Sequence, residues 1–297
     1  MASETVVVTG ATGNIGSELV KKLLAAGKNV RAVGRSKDKL AALGKVDPRT
    51  GSTDDRNFLT DAFRGATAVF AMIPPNHQAQ DTRAEQKKQG EALTAALRDS
   101  GVSRVVTLSS VGADRPDKTG PIVGLHDFEK SVDRLQGLKV VHLRPAYFME
   151  NLLGTVGLIK SAGINGSALK GDVAISMVAT KDIAQVAFDE LTTPRREARA
   201  IRYVLGPRDY TMSEATKILG AAIGKPDLHY VTFPEPEFKA GLIGHGFPAK
   251  LAEMFAEMLG AFNAGLIKTD ARAATNTTPT TLEDFAKSTF APSYSAS

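Results

Sequence analysis

The chain has 297 residues, 23% of them charged, a formal net charge of +5, and neither cysteine nor tryptophan. That length supports one or two domains with a sizeable core, and the missing cysteines exclude disulfides, thiolate catalysis and cysteine-type zinc sites. The histidines (His77, His126, His142, His229 and His245) are dispersed with no HxxxH pair, and the scattered basic residues form no stripe of the kind that reads nucleic acid.

Val6-Val7-Val8-Thr9 reads as a buried strand running into Gly10-Ala11-Thr12-Gly13-Asn14-Ile15-Gly16. Leu19, Val20, Leu23 and Leu24 then recur at helical spacing until Gly27, and a second apolar strand is expected at Asn29–Val33. Strand, glycine turn, helix and strand in that order suit a dinucleotide: Gly10 for the tight turn, Gly13 for backbone approach to a pyrophosphate, Gly16 for close helix–strand packing. The first turn of the helix, with Asn14 and Ile15, offers free N–H groups to the phosphates. An acidic residue at the tip of the second strand would mark NAD, but the strand ends Gly34-Arg35-Ser36-Lys37. Arg35 supplies a planar cation for a 2′-phosphate, with Ser36, Lys37 and Lys39 as further contacts, so the expected cofactor is NADP(H). A solvated basic loop is the alternative reading of these residues.

Further along, a third strand is expected near Lys45–Asp47, a helix at Asp55–Phe63, and a strand at Thr67–Ile73 closed by Pro74-Pro75. A long helix at Asp81–Ser100, a strand at Arg104–Leu108 leading into Ser109-Ser110, a helix at Gly124–Gln136 and a strand at Lys139–Leu143 complete the alternation. This pattern predicts an α/β Rossmann-type, doubly wound parallel sheet that binds ligands at the carboxyl ends of its strands. After Arg144-Pro145 the pattern loosens. A helix at Ala179–Leu191 and a main-sheet strand at Ala200–Leu205 are expected, then helices near Ser213–Ile223, Glu235–Leu242 and Pro248–Leu266, and a frayed tail at Ala291–Ser297. The expected organisation is a Rossmann domain over residues 1–150, to which 176–205 returns, and a smaller, mostly helical C-terminal subdomain over 151–297 covering the substrate. With no signal-peptide pattern and no apolar run of membrane-spanning length, a cytoplasmic protein without membrane or nucleic-acid partners is expected.

These pieces resemble the NmrA-like, atypical short-chain dehydrogenase/reductase family over almost the full chain. The matching segments are TGATGNIG at 9–16, GR at 34–35, LSSVGA at 108–113, LHDFEK at 125–130, LRPAYFMENL at 143–152, ATKDIA at 179–184 and YVLGPRDYTMSEA at 203–215. The resemblance implies that the 10–16 loop holds the pyrophosphate and Arg35 the 2′-phosphate. It implies that Met72, Ile73 and Pro74 line the ribose and nicotinamide side, with Ser109 and Pro145-Ala146-Tyr147 facing the ring. Where relatives often carry Gly-Asp, this chain has Gly51-Ser52-Thr53. The family contains NADPH-dependent reductases of quinones, azo or triphenylmethane dyes and phenylcoumaran-type compounds, and also non-catalytic regulators that bind the dinucleotide.

Most short-chain dehydrogenases use Tyr-x-x-x-Lys, in which the lysine eases proton transfer from the tyrosine. Here Asn151, Pro207, Glu214 and Pro234 stand four residues after Tyr147, Tyr203, Tyr210 and Tyr230, and Tyr294 lies in the tail, so the pair is absent. At about its position stand His126 and Lys130, whose spacing puts them on one helix face. His126 is a candidate proton donor or a helix histidine satisfying nearby backbone, and Lys130 a ribose contact or a solvated charge. Ser109 is a candidate substrate-orienting hydroxyl or a small residue closing a strand. Tyr147, right after the sixth strand, offers an aromatic face to a flat acceptor or packs in the core. Two functions stay open: an NADPH-dependent reductase of a planar conjugated small molecule, or an NADP(H)-sensing regulator that binds a partner protein. A homodimer is compatible with either.

Overall fold

The apolar run at the start of the chain forms β1 (Thr5–Thr9), and its alternation settles the layering: Val6 and Val8 enter one core, Val7 another. The computed structural model describes residues 4–193 and 196–296. After β1 come α1 (Asn14–Ala25), β2 (Asn29–Gly34), α2 (Lys37–Ala41), β3 (Asp47–Thr50), α3 (Arg56–Phe63) and β4 (Ala68–Ala71). Then follow α4 (Thr82–Asp99), β5 (Arg104–Leu108), α5 (Ile122–Asp133) and β6 (Lys139–Pro145). Asp55 and Asp81 start α3 and α4 by accepting the N–H groups of Phe58 and Ala84 at 3.0 Å, each cap contributing about 1 kcal/mol.

The second half contains β7 (Tyr147–Phe148), a 3₁₀ turn (Met149–Thr155), α6 (Val156–Ala162), β8 (Asn165–Ser167), β9 (Ala174–Val178), α7 (Thr180–Thr192) and β10 (Arg199–Val204). Beyond these lie β11 (Asp209–Thr211), α8 (Met212–Ala222), β12 (Tyr230–Thr232), α9 (Glu235–Gly244), α10 (Ala249–Asn263) and α11 (Leu282–Phe285), which continues through a π-helical turn (Ala286–Phe290) into α12 (Ala291–Ala296).

Seven strands form one parallel sheet in the order β10-β6-β5-β4-β1-β2-β3. The chain leaves β1 towards β2 and β3, then returns to β4 on the other side, so the crevice at this reversal opens beyond the carboxyl ends of β1 and β4. Leu19, Leu23, Ile183 and Ala187 cover one face with α1 and α7; Leu59, Phe63, Leu93, Leu97, Phe128 and Val132 cover the other with α3, α4 and α5. A third core, around Met149, Ile175, Tyr210, Met212, Leu219, Phe285 and Phe290, belongs to the C-terminal region. Besides its helices that region holds two small sheets, β11-β9-β7 and β12-β8, which the sequence reading missed.

Two further expectations are corrected. The third strand forms at Asp47–Thr50 instead of Lys45–Asp47, with all four residues exposed. An edge strand that buries no side chain leaves no hydrophobic pattern; its place is set by pairing from Arg31↔Asp47 to Gly34↔Thr50 and by the Arg31–Asp47 ion pair at 2.9 Å. The tail is helical through Ala296, because Phe285, Ala286 and Phe290 anchor the preceding turns in the third core and the Lys160 ammonium sits 5.0 Å from the Tyr294 ring. Ser297 lies outside the described residues. No helix among the described residues is long and apolar enough to cross a membrane.

Candidate functional site

At the end of β1 the chain turns through Gly10, whose φ of +62° favours glycine, and the Gly13 N–H donates to the Gly10 carbonyl at 3.0 Å. A Cβ on Gly16 would stand 2.1 Å from the Gly10 carbonyl oxygen, so only glycine lets α1 pack this close. A Cβ on Gly13 would meet nothing nearer than that oxygen at 3.4 Å, so the space beside it is open. Thr12, Gly13 and Asn14 are exposed, whereas the Ile15 side chain is buried and leaves only its backbone to a ligand. The N-terminus of α1 has no side-chain cap and no acidic residue in its first turn, so its N–H groups and dipole are available to an anion. A cavity of about 390 Å³ lies between the start of α1 (Asn14, Ser17) and that of α7 (Thr180, Lys181).

Thr9, fully buried, ties this loop to β4. Its hydroxyl donates to the Phe70 carbonyl at 3.1 Å and accepts the Met72 N–H at 3.0 Å. Met72 is thereby held against Gly10, where an added Cβ would meet its sulfur at 2.7 Å. Sequence alone does not single out Thr9; its only signal is a hydroxyl following the valine run of β1 and immediately preceding Gly10. Ile73 is buried and Pro74 half-buried beside it. At the end of β2, Arg35 is exposed and makes no hydrogen bond or ion pair with the described residues. Ser36 is committed elsewhere: its hydroxyl caps α2 by accepting the Lys39 N–H at 3.4 Å. Lys37 and Lys39 are exposed.

Past the end of β5 the chain keeps bonding to the last residues of β6, with Ser109 N–H donating to the Leu143 carbonyl at 2.7 Å and Val111 N–H to the Pro145 carbonyl at 3.0 Å. Ser109 and Pro145 are thus brought side by side at the sheet's carboxyl edge. The Ser109 hydroxyl is buried and has no hydrogen-bond partner among the described residues. His126, half-buried on α5, bonds the Ala113 carbonyl through Nδ1 at 2.8 Å. A carbonyl only accepts, so Nδ1 carries the proton and Nε2 of the neutral ring is left as an acceptor with no described partner. Lys130, one turn on, is exposed and unpaired among the described residues. Tyr147 turns towards the C-terminal region, its ring edge-on to Phe262 at 6.5 Å, and its hydroxyl bonds no described residue. Burial, with a smaller contribution from neighbouring Tyr230, pushes its phenol above the ordinary tyrosine range.

Glu129 and Arg144 hold α5 against β6. Both are almost fully buried, and the guanidinium donates to the two carboxylate oxygens at 3.0 and 2.6 Å and to the Tyr203 hydroxyl at 3.3 Å. The pair therefore positions the helix that carries His126. Glu150 does similar work for α7, accepting the Thr180 N–H at 3.0 Å and its hydroxyl at 2.6 Å.

A parallel sheet with a reversal beside a glycine-lined, uncapped helix start defines a Rossmann-type dinucleotide-binding protein. The chain belongs to the NmrA-like family, whose model matches residues 2–286. A (4-alkanoyl-5-oxo-2,5-dihydrofuran-3-yl)methyl phosphate reductase of Streptomyces griseus is 32% identical over 253 residues, covering 85% of each chain. An NAD(P)H azoreductase of Xenophilus azovorans is 30% identical over 257 residues, again covering 85% of each. Among solved structures, an NADPH-dependent quinone oxidoreductase of Escherichia coli complexed with NADPH has the same fold, with a TM-score of 0.82 at 22% identity over 96% of this chain and 99% of that one.

Proposed function

We propose that the protein is an NADP(H)-dependent oxidoreductase that reduces a planar, conjugated acceptor of quinone-like, azo or related type. The observation that carries the acceptor reading is His126, whose ring is fixed through Nδ1 while Nε2 has no partner among the described residues, in a chain without a Tyr-x-x-x-Lys pair. The relatives support it. One is named for a ring double bond conjugated with carbonyls, the other for an azo bond, and both acceptors spread incoming charge over several atoms.

The glycine loop and the start of α1 would hold the pyrophosphate, Arg35 the 2′-phosphate, and Met72, Ile73, Pro74, Ser109 and Pro145 the nicotinamide side. When bound, the reduced cofactor supplies a hydride, which carries two electrons and one hydrogen. The second hydrogen reaches the acceptor as a proton from Nε2 of protonated His126 or from water. On losing it His126 returns to the neutral form with Nδ1 still bonded to Ala113. Tyr147, its phenol raised by burial, stays neutral and offers a hydrogen bond or an aromatic face; it is a poorer acid than free tyrosine. Lys130 serves a cofactor ribose hydroxyl at most. The regulator alternative calls for a broad exposed apolar face, whereas the exposed large hydrophobics among the described residues are Ile201 on β10 and Ile243 on α9.

The test is NADPH oxidation with quinones, azo dyes and conjugated enals, in the parent and in His126→Ala. The variant is expected to lose roughly 100-fold or more in turnover while its NADPH affinity is unchanged. Unchanged turnover would reduce His126 to a tether for the 108–113 segment; a parent that binds NADPH but reduces none of these acceptors would overturn the acceptor reading. Arg35→Asp is expected to weaken NADPH binding about 100-fold, because a charge-assisted contact is lost and a repulsion added, with little effect on NADH. Equal losses for the two cofactors, measured by calorimetric titration, would remove Arg35 from the 2′-phosphate.

A further inference from the structure

α10 has two apolar faces. Leu251, Ala252, Ala256 and Leu259 are buried. Met254, Phe255, Met258 and Phe262, although large and apolar, are only half-buried. The latter face lies across the carboxyl edge of the sheet. Met254 and Met258 cross Gly120, where a Cβ would stand 2.0 Å from the Met254 carbonyl, and Phe262 meets Tyr147. At the far end Phe255 and Phe247 gather around His77, with ring centroids 6.2 and 5.5 Å from the imidazole and 6.1 Å from each other. Neither phenylalanine belongs to any of the three cores, and the His77 ring is exposed.

A purely structural clasp would bury these rings fully; here both phenylalanines are only half-buried and His77 is exposed. Phe255 is carried on α10, which also meets the first half of the chain through the Lys250–Asp81 ion pair at 3.2 Å and the Gly120 N–H donating to Glu257 at 3.2 Å. His77 follows Pro74 by three residues, so the trio adjoins along the chain the residues proposed for the nicotinamide side.

Resting on the oxidoreductase reading of the site, we infer that His77, Phe247 and Phe255 form an aromatic wall that selects acceptors of two or more rings. One ring takes the electrons beside the nicotinamide and a further ring packs on the trio. Offset or edge-on packing on such a wall adds to the affinity of a second ring and nothing to that of a single one. The three residues determine specificity and take no part in proton or hydride transfer.

The experiment is calorimetric binding of menadione (two fused rings) and duroquinone (one ring) to the full chain saturated with NADP⁺, so that no turnover occurs. The parent is compared with Phe247→Leu, Phe255→Leu and the double variant. Both phenylalanines lie outside the cores, and leucine keeps the site apolar. Menadione is expected to bind the parent more tightly than duroquinone does, and the double variant is expected to lose about tenfold for menadione and less than about twofold for duroquinone. Equal losses for both quinones, no loss for either, or a parent that does not prefer menadione would overturn the wall. A parent that binds menadione selectively, loses that preference in the double variant, and yet fails to oxidise NADPH with it would leave the wall standing while the reductase reading falls.

Discussion

Gly13→Val is expected to leave the protein folded with its parent's stability and to bind neither NADPH nor NADH. Gly13 has φ −84° and ψ 174°, a conformation open to any residue, and an added Cβ there meets no atom of the protein closer than 3.4 Å. The new side chain would instead fill the space through which, on the proposed reading, a pyrophosphate reaches the N–H groups of the loop. Losing two charge-assisted hydrogen bonds to backbone costs on the order of 3 kcal/mol, a drop in affinity of about 100-fold or more. Gly16→Ala is the control, because its single added carbon collides with the backbone of Gly10 and Ala11 at 2.1 to 2.9 Å. It is expected to destabilise the chain by about 1–3 kcal/mol or more. Calorimetric titration and urea unfolding of the two variants separate the effects. Normal dinucleotide binding by Gly13→Val would contradict the assigned phosphate loop.

Glu129→Ala is expected to cost about 3–5 kcal/mol of stability, a large share of the roughly 5–15 kcal/mol a domain usually has. The reason is what remains. Burial works against the Arg144 charge, but its bonds to Glu129 and Tyr203 outweigh that and hold the guanidinium above its ordinary range. Without Glu129 the cation stays buried and unneutralised, and α5 loses its anchor to β6. The same loss loosens His126, so turnover should fall along with stability. Replacing both partners by apolar residues, as in Glu129→Met with Arg144→Leu, should recover most of the stability by removing the stranded charge. A urea midpoint for Glu129→Ala within error of the parent would show that the pair does not hold α5 in place.

The nucleotide-binding half was legible in the sequence wherever a residue type had one physical use. The valine run of β1, the caps Asp55 and Asp81, and the glycines at 10, 13 and 16 each signal their structure locally. What failed to show was whatever depends on partners far along the chain. β8 and β12 are three residues each and partly polar, and they exist because Asn165 pairs with Tyr230 and Ser167 with Thr232. β3 buries nothing that could mark it. The site divides in the same way. The glycine turn and the exposed Arg35 at the end of β2 were readable as structure, whereas the Thr9 bonds to Phe70 and Met72, the Glu129–Arg144 pair and the gathering of Phe247 and Phe255 at His77 needed the fold.

The position of β10 governs how the nascent chain must fold. β6 leaves the ribosome well before β10, and between them come β7 to β9, α6 and α7, so the central sheet waits one strand short with the β6 edge unpaired. That edge runs through the buried Val140, Val141 and Leu143, an apolar strand able to pair with a neighbouring chain until Arg199–Val204 arrives. A fragment cut after β6 would carry the same exposed edge permanently.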